Sequence, residues 1–218
     1  MIAHSRYQVK EIFYTLQGEG RHAGRAAVFC RFSNCNLWSG LEADRATAVC
    51  KFCDTDFVGH TWMSDGGAYL QCAALADQIE AAWPKGGSMR ARPLVVFTGG
   101  EPLLQLDEAL IEAMHLRGFE VHVETNGTIA APKGIDWLTV SPKAGTRQRV
   151  KHADEVKLAF PQSGLSPADI NAPSSTRLSL QPIDGERLTE NTALAVEYCL
   201  AHPEWHLSVQ THKEVGLR

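Results

Sequence analysis

Val121-His122-Val123-Glu124 and, further on, Arg177-Leu178-Ser179-Leu180-Gln181 alternate strictly between apolar and polar residues. That period belongs to a strand whose two faces meet different surroundings. A parallel sheet sandwiched between helix layers reads apolar on both faces. Here His122 and Glu124 share a face, as do Arg177, Ser179 and Gln181, and Thr139 and Ser141 repeat the pattern. Polar groups on one face of successive strands imply a sheet curved around a wet lumen. The expected fold class is therefore α/β: an incomplete, TIM-type barrel of mostly parallel strands with covering helices. Eight complete strand–helix units need roughly 250 residues. The chain has 218, so a helix or two should be missing.

Working outward, strands are expected at Val9–Leu16, Ala26–Phe32, Leu94–Thr98, Phe119–Glu124, Trp137–Ser141, Glu155–Phe160, Arg177–Gln181 and Trp205–Gln210. Tyr69–Trp83 carries Leu70, Ala74, Ile79 and Trp83 at helical spacing, and Pro84-Lys85-Gly86-Gly87 stops it. Asp107 should cap a helix with Leu110, Ile111 and Met114 on one face and Gly118 at its end. A last helix is expected over about Thr189–Ala201. Met1 to Arg6 is unpatterned and reads as a tail. No repeat or linker divides the chain, so residues 1–218 form one domain.

A net charge of −4 lacks the basic footprint of a nucleic-acid binder and points to a small-molecule substrate. No run of eighteen apolar residues and no signal peptide is present, so a cytoplasmic protein away from membranes is expected. In a reducing compartment six cysteines read as thiols or metal ligands. Cys30 lies in an apolar strand, and Cys72 and Cys199 in helices, where cysteine behaves as a small hydrophobe. Cys35, Cys50 and Cys53 lie instead in irregular, polar sequence between Asn34 and His60. Two thiolates in Cys50-Lys51-Phe52-Cys53 and a third nearby make a soft-ligand site. It suits a four-iron cluster with one open iron, or a structural zinc with Cys30 as fourth ligand. Gly99-Gly100-Glu101-Pro102 follows a buried strand, at the end where barrel folds place their active sites. Paired glycines there let backbone approach a ligand.

Cys35-Asn36-Leu37, Cys50-x-Phe52-Cys53-Asp54-Thr55, Thr98-Gly99-Gly100-Glu101-Pro102, Glu124-Thr125-Asn126-Gly127 and Ser141-Pro142-Lys143 occur in that order. With Tyr14-Thr15-Leu16-Gln17-Gly18-Glu19-Gly20 before them and Gln210-Thr211-His212-Lys213 after, the chain resembles the radical S-adenosylmethionine (SAM) enzymes. Among these it looks closest to the 7-carboxy-7-deazaguanine synthases of deazapurine (queuosine) biosynthesis. One departure is the cysteine spacing. The usual interval between the first two cysteines is three residues; here Asn36 to Val49, an insertion at about 36–49, separates Cys35 from Cys50. Each doubling of a loop costs only about 0.6 kcal/mol of closure entropy, so the site tolerates it.

The resemblance implies a [4Fe-4S] cluster on Cys35, Cys50 and Cys53, SAM on its open iron, and Mg²⁺ at Thr55. The reaction implied is radical ring contraction of 6-carboxy-5,6,7,8-tetrahydropterin to 7-carboxy-7-deazaguanine with loss of ammonia. SAM would be held by Gly100 and Glu101 at its amino end. Glu124, Ser141, Pro142 and Lys143 would reach its ribose and carboxylate. Phe52, Cys53 and Asp54 would meet the adenine, and Gln181, Pro182, Ile183 and Asp184 would close that side. The pterin would meet Leu16, Gln17, Gly18, Glu19, Thr98, His212 and Arg218, with Arg31 on its carboxylate as a planar guanidinium suits. The partners implied are an electron donor such as flavodoxin and a possible second copy in a homodimer. Two rivals remain: a radical SAM activase acting on a partner protein, and a non-catalytic zinc-binding protein.

Overall fold

Antiparallel pairing opens the sheet and parallel pairing completes it. The computed structural model describes residues 7–59, 66–84 and 92–217. β1 (Tyr7–Leu16) and β2 (Ala26–Phe32) are antiparallel, and β3 (Gly67–Tyr69) pairs antiparallel with the start of β1. From β2 onward every neighbour is parallel, through β4 (Leu94–Gly99), β5 (Glu120–Thr125) and β6 (Trp137–Val140). β7 (Glu155–Phe160), β8 (Arg177–Pro182) and β9 (Trp205–Leu207) continue it. The strand order is β3-β1-β2-β4-β5-β6-β7-β8-β9. Among the described residues β9 and β3 do not pair, so the barrel is open, as its sequence predicts.

Helices cover only part of the outer face. α1 (Cys72–Ala82) and α2 (Glu108–Leu116) pack on β1, β2 and β5, and α3 (Leu188–Ala201) on β8 and β9. The crossovers from β5 to β6, β6 to β7 and β7 to β8 contain no α-helix. The outer core joins Val28, Cys30, Phe97, Val121 and Val123 to Leu75, Ile79, Leu110 and Met114. Burying each large aliphatic side chain there stabilises the fold by about 1.5–3 kcal/mol. Asp107 caps α2 by accepting from the Leu110 amide at 3.0 Å, and Gly118, at φ +78°, ends it in the left-handed region.

Two boundaries depart most from the sequence expectation. Tyr69 belongs to β3 opposite Tyr7, so α1 begins only at Cys72. Its buried face is Leu75, Ala76 and Ile79, while Leu70 and Ala74 are exposed. Edge pairing with β1 claims the segment that helical spacing alone assigned to the helix. β9 stops at Leu207, and the chain then turns into a short last helix, α4 (Thr211–Glu214). Met1 to Arg6, Lys85 to Gly87 and Arg218 lie outside the described residues.

The inner face carries the polar residues the alternation assigned to it. His122, Thr139 and Ser179 are buried there, joined by Glu155 and Lys157 of β7. The β1–β2 loop, residues 17–25, folds under the N-terminal ends of the parallel strands. Its Gly20 amide donates to Ser208 Oγ at 2.8 Å and its Arg21 amide to Glu155 Oε2 at 3.0 Å. His22 packs its ring on His122 and Trp137, with centroids 4.5 and 4.6 Å apart. Arg25 pairs with both oxygens of Glu120, at 3.1 and 2.8 Å. One end of the lumen is thus closed and the other, at the strand C-termini, is open.

Candidate active site

At that open end Gly99 closes β4 and Gly100 follows it. A Cβ on Gly99 would lie 2.1 Å from the Phe32 carbonyl oxygen, and one on Gly100 2.1 Å from that of Asn34 and 2.8 Å from Cys35 Cβ. The glycines are needed because the cysteine loop lies directly against this turn. Gly100 and Glu101 amides donate to the carbonyls of Phe32 and Asn34. Cys35 is thereby fixed to the end of β4.

Residues 36–49 form a closed loop whose two ends meet. The amides of Val49 and Cys50 both donate to the Leu37 carbonyl, which returns Cys50 to the neighbourhood of Cys35. Trp38 is buried on Phe57, and Arg45 stacks over the Trp38 ring at 4.1 Å. The Arg45 guanidinium also donates to the carbonyls of Lys51 and Cys53, each at 3.1 Å. The insertion therefore braces the Cys50–Cys53 turn.

Cys35, Cys50 and Cys53, all free thiols, line one cavity of about 190 Å³. Cys50 donates its proton toward Cys53, which also accepts from the Thr55 amide and hydroxyl; this lowers the Cys53 pKa and raises that of Cys50. Burial raises the Cys35 thiol. Among the described residues no three His, Cys, Asp or Glu side chains converge on one ion position. The three thiols share the wall of this cavity, which has room for a group larger than a single ion. Cys30 is elsewhere: it is fully buried in the outer core, and burial pushes its thiol far up. A zinc completed by Cys30 does not fit this geometry.

Phe52, Asp54, Gly100, Glu124, Ser141, Lys143 and residues 181–184 line the same cavity as the thiols. The Lys143 ammonium donates to Ser141 O and Oγ, both at 2.8 Å, and makes no ion pair among the described residues. Burial lowers its pKa. Two of the expected SAM residues sit differently. The Glu101 carboxylate is buried behind the turn, accepting from the Leu103 amide (2.9 Å), Thr125 Oγ1 (2.6 Å) and the Asn126 amide (2.8 Å). Burial raises its pKa while those donors oppose the rise. Its side chain shapes the turn and leaves only backbone for a ligand. Pro142 is buried and lines a different hollow, on the outer face.

A second cavity, about 240 Å³, adjoins the first; Glu19, Asp54, Thr55, Glu124 and Gln210 face both. Leu16, Gln17, Gly18, Arg31, Thr98 and His212 complete its walls together with Glu11, Phe13 and Phe29. Arg31 Nε donates to Glu11 at 2.9 Å. α4 closes this side. The Thr211 amide donates to Gly18 O at 3.0 Å, and Lys213 bridges Asp54 and Asp184 at 2.6 Å each.

Sequence reasoning put Ser179 on the inner face but missed Lys157, at the wall of the thiol cavity, and Glu155 on the same strand. Lys157 Nζ meets Glu124 Oε2 at 2.8 Å and Glu19 Oε2 at 2.5 Å. Those carboxylates divide in response: burial opposes ionisation of both, yet Lys157, Gln210 and His212 hold Glu19 down at about 2, while burial and Glu19 raise Glu124. The signal was available, since Glu155-Val156-Lys157-Leu158 alternates like β5 and β8.

No protein-family model matches the chain. Among curated proteins it is 59% identical to the 7-carboxy-7-deazaguanine synthase of Bradyrhizobium diazoefficiens, over 97% of this chain and 99% of that one. It is 58% identical to the same enzyme of Caulobacter vibrioides (97% and 99%) and 40% to that of Bacteroides thetaiotaomicron (97% and 98%). Among solved structures, the crystal structure of QueE from Escherichia coli superposes with a TM-score of 0.62 at 26% identity, covering 94% of this chain and 93% of that one.

Proposed function

The chain belongs to the 7-carboxy-7-deazaguanine synthases, and from that premise we propose how its two cavities divide the work. The enzyme is a lyase of queuosine-precursor biosynthesis that forms 7-carboxy-7-deazaguanine. The thiol-lined cavity takes a [4Fe-4S] cluster on Cys35, Cys50 and Cys53 with SAM beside it, and the Arg31 cavity takes 6-carboxy-5,6,7,8-tetrahydropterin. The observation that carries this reading is three free thiols facing one space with Lys143, Glu124 and residues 181–184. When bound, the cluster and SAM supply a carbon radical able to take hydrogen from the pterin.

The protein's part is placement and closure. Backbone at Gly100 offers the SAM amino group its carbonyl, and Lys143, which pairs with no carboxylate among the described residues, pairs with the SAM carboxylate. Glu124 accepts from the ribose. Gln181, Pro182 and Ile183 face adenine across from Phe52. Asp184 and Asp54, tied through Lys213, hold that wall together. In the second cavity Arg31 uses Nε on Glu11 and keeps its terminal nitrogens for the pterin carboxylate. Leu16, Gln17 and Gly18 meet the pterin edge, with Thr98, Glu19 and His212 around it. Thr55 stands where the cavities join, and we assign its hydroxyl to Mg²⁺, whose remaining shell is water and substrate oxygen. An outside one-electron donor such as flavodoxin completes the cytoplasmic reaction, and the reading accommodates a homodimer. A pocket closed by α4 and the β1–β2 loop favours a small substrate over a partner protein.

The test is anaerobic reconstitution with iron and sulfide, followed by absorption spectra with and without dithionite and assay with SAM and the pterin. A brown protein bleached by dithionite, forming the ring-contracted product, is expected. A colourless protein holding one zinc overturns the cofactor reading.

A further inference from the structure

We propose that Lys157 is a positioning residue of the reaction, holding Glu124 and Glu19 across the wall shared by the two cavities and so setting the spacing between the molecules on either side. This rests on the division of the cavities proposed above.

Lys157 belongs to a closed ring of hydrogen bonds. Lys157 takes one oxygen of each carboxylate, Glu124 Oε2 at 2.8 Å and Glu19 Oε2 at 2.5 Å. The other oxygens are taken by amides: Gln17 Nε2 donates to Glu124 Oε1 at 3.3 Å, and Gln210 Nε2 to Glu19 Oε1 at 2.9 Å. The Glu19 amide then donates to Gln17 Oε1 at 3.1 Å and closes the circuit. Five residues from β5, β7, the β1–β2 loop and the segment before α4 are thereby fixed relative to one another.

The ring lies in the dividing wall. Glu19, Glu124 and Gln210 face both cavities, Lys157 faces only the thiol side, and Gln17 only the Arg31 side. Lys157 is 6% exposed at its side chain. A buried ammonium survives only when paired, and two buried carboxylates this close repel unless a cation stands between them. Lys157 satisfies both conditions. It contributes nothing to the outer core, where Val156 and Leu158 secure β7. Its removal therefore loosens the wall and leaves the strand packed. An ångström of misplacement between reacting centres costs about 100-fold in rate.

The experiment uses reconstituted holoenzyme carrying Lys157→Met. Turnover to ring-contracted product should fall about 100-fold, with the KM of pterin and of SAM within about threefold of wild type. Uncoupled 5′-deoxyadenosine should accumulate in excess of product. Calorimetric affinity for S-adenosylhomocysteine should also stay within about threefold, and Lys157→Arg, whose fork spans two carboxylates, should recover about tenfold. Wild-type kcat in Lys157→Met, or a loss of S-adenosylhomocysteine affinity matching the loss of kcat, would overturn the proposal. If Lys157→Met does not fold, Glu19→Gln/Lys157→Met removes the like-charge pair and should show the same uncoupling; wild-type turnover from it overturns the proposal equally. Failure of the underlying reading is distinguishable, because wild-type holoenzyme would then form no product at all.

Discussion

The two cavities share a wall but are built on opposite principles. The thiol side is assembled from backbone: glycines at 99 and 100 pressed against Phe32 and Asn34, carbonyls of Lys51 and Cys53 held by Arg45, and strand ends at 126, 141 and 182. The Arg31 side is assembled from side chains on β1 and β2 that already pair with one another, as Arg31 does with Glu11. A backbone-built site has few single side chains whose loss is graded. A side-chain-built site loses affinity piecemeal. Mutations on the thiol side should therefore act in an all-or-none manner, and those on the Arg31 side should change KM.

The largest effect expected is from Cys50→Ala: reconstituted protein should hold essentially no cluster, read as iron and sulfide per chain. Retention of wild-type iron would break the comparison at its root. Next is Arg31→Ala. Removing a charge-assisted contact to a carboxylate costs about 1.5–3 kcal/mol, so the pterin KM should rise roughly 10- to 100-fold while SAM affinity holds. Equal weakening of both ligands would show that the wall between the cavities does not separate their binding.

How much of this was legible follows from the same contrast. The barrel was readable because β5 and β8 each alternate, a pattern local to a few residues. The cysteines were readable because Cys35, Cys50 and Cys53 lie outside any periodic element. Lys157 was passed over because its strand holds apolar Val156, Leu158 and Ala159, and a lone lysine there reads as surface. The alternation of Glu155-Val156-Lys157-Leu158 gives Lys157 a polar face, and the parallel register that sets it opposite Ser179 on β8 marks that face as interior. Glu101 stands otherwise than its motif suggests. Its motif suggested a ligand, yet Thr125 and Asn126, from the next strand, occupy its oxygens. Contacts between strands carry no local signal, and that is where sequence reading stopped.

Arg45→Ala sharpens the thiol-side half. The insertion should still close through Leu37, Val49 and Cys50, so the cluster should assemble. Without its guanidinium on the Lys51 and Cys53 carbonyls the turn loosens, and the cluster should bleach in air several-fold faster. An unchanged bleaching rate would leave the insertion without a bracing role.

Acid probes the other half. His22, in the loop flooring the Arg31 cavity, is held down at about 4 by burial and by His122 and Arg25, and its Nε2 is buried without a partner among the described residues. The unfolded chain protonates this ring near 6.5. The resulting stability is therefore complete above pH 6.5 and lost as pH falls toward 4, by about 1–2 kcal/mol once solvent screening is allowed for. Denaturant midpoints of His22→Gln should decline less over that window than those of wild type; parallel decline would clear His22.

The smallest effect is the most discriminating for the ligand set. Cys30 is fully buried between Ile12 on β1 and Phe97 on β4, in the outer core and away from both cavities. Cys30→Ala removes one sulfur from packed surroundings and should cost about 1 kcal/mol, with iron content unchanged. Cys35→Ala removes a thiol at the cavity wall, packed beside the Gly100 turn, and should leave stability nearly unchanged while iron is lost. The two variants therefore exchange signatures, one losing stability and the other iron. If Cys30→Ala lost its iron while Cys35→Ala kept it, the third thiolate would lie in the outer core, and β2 would have to open for the cluster to form.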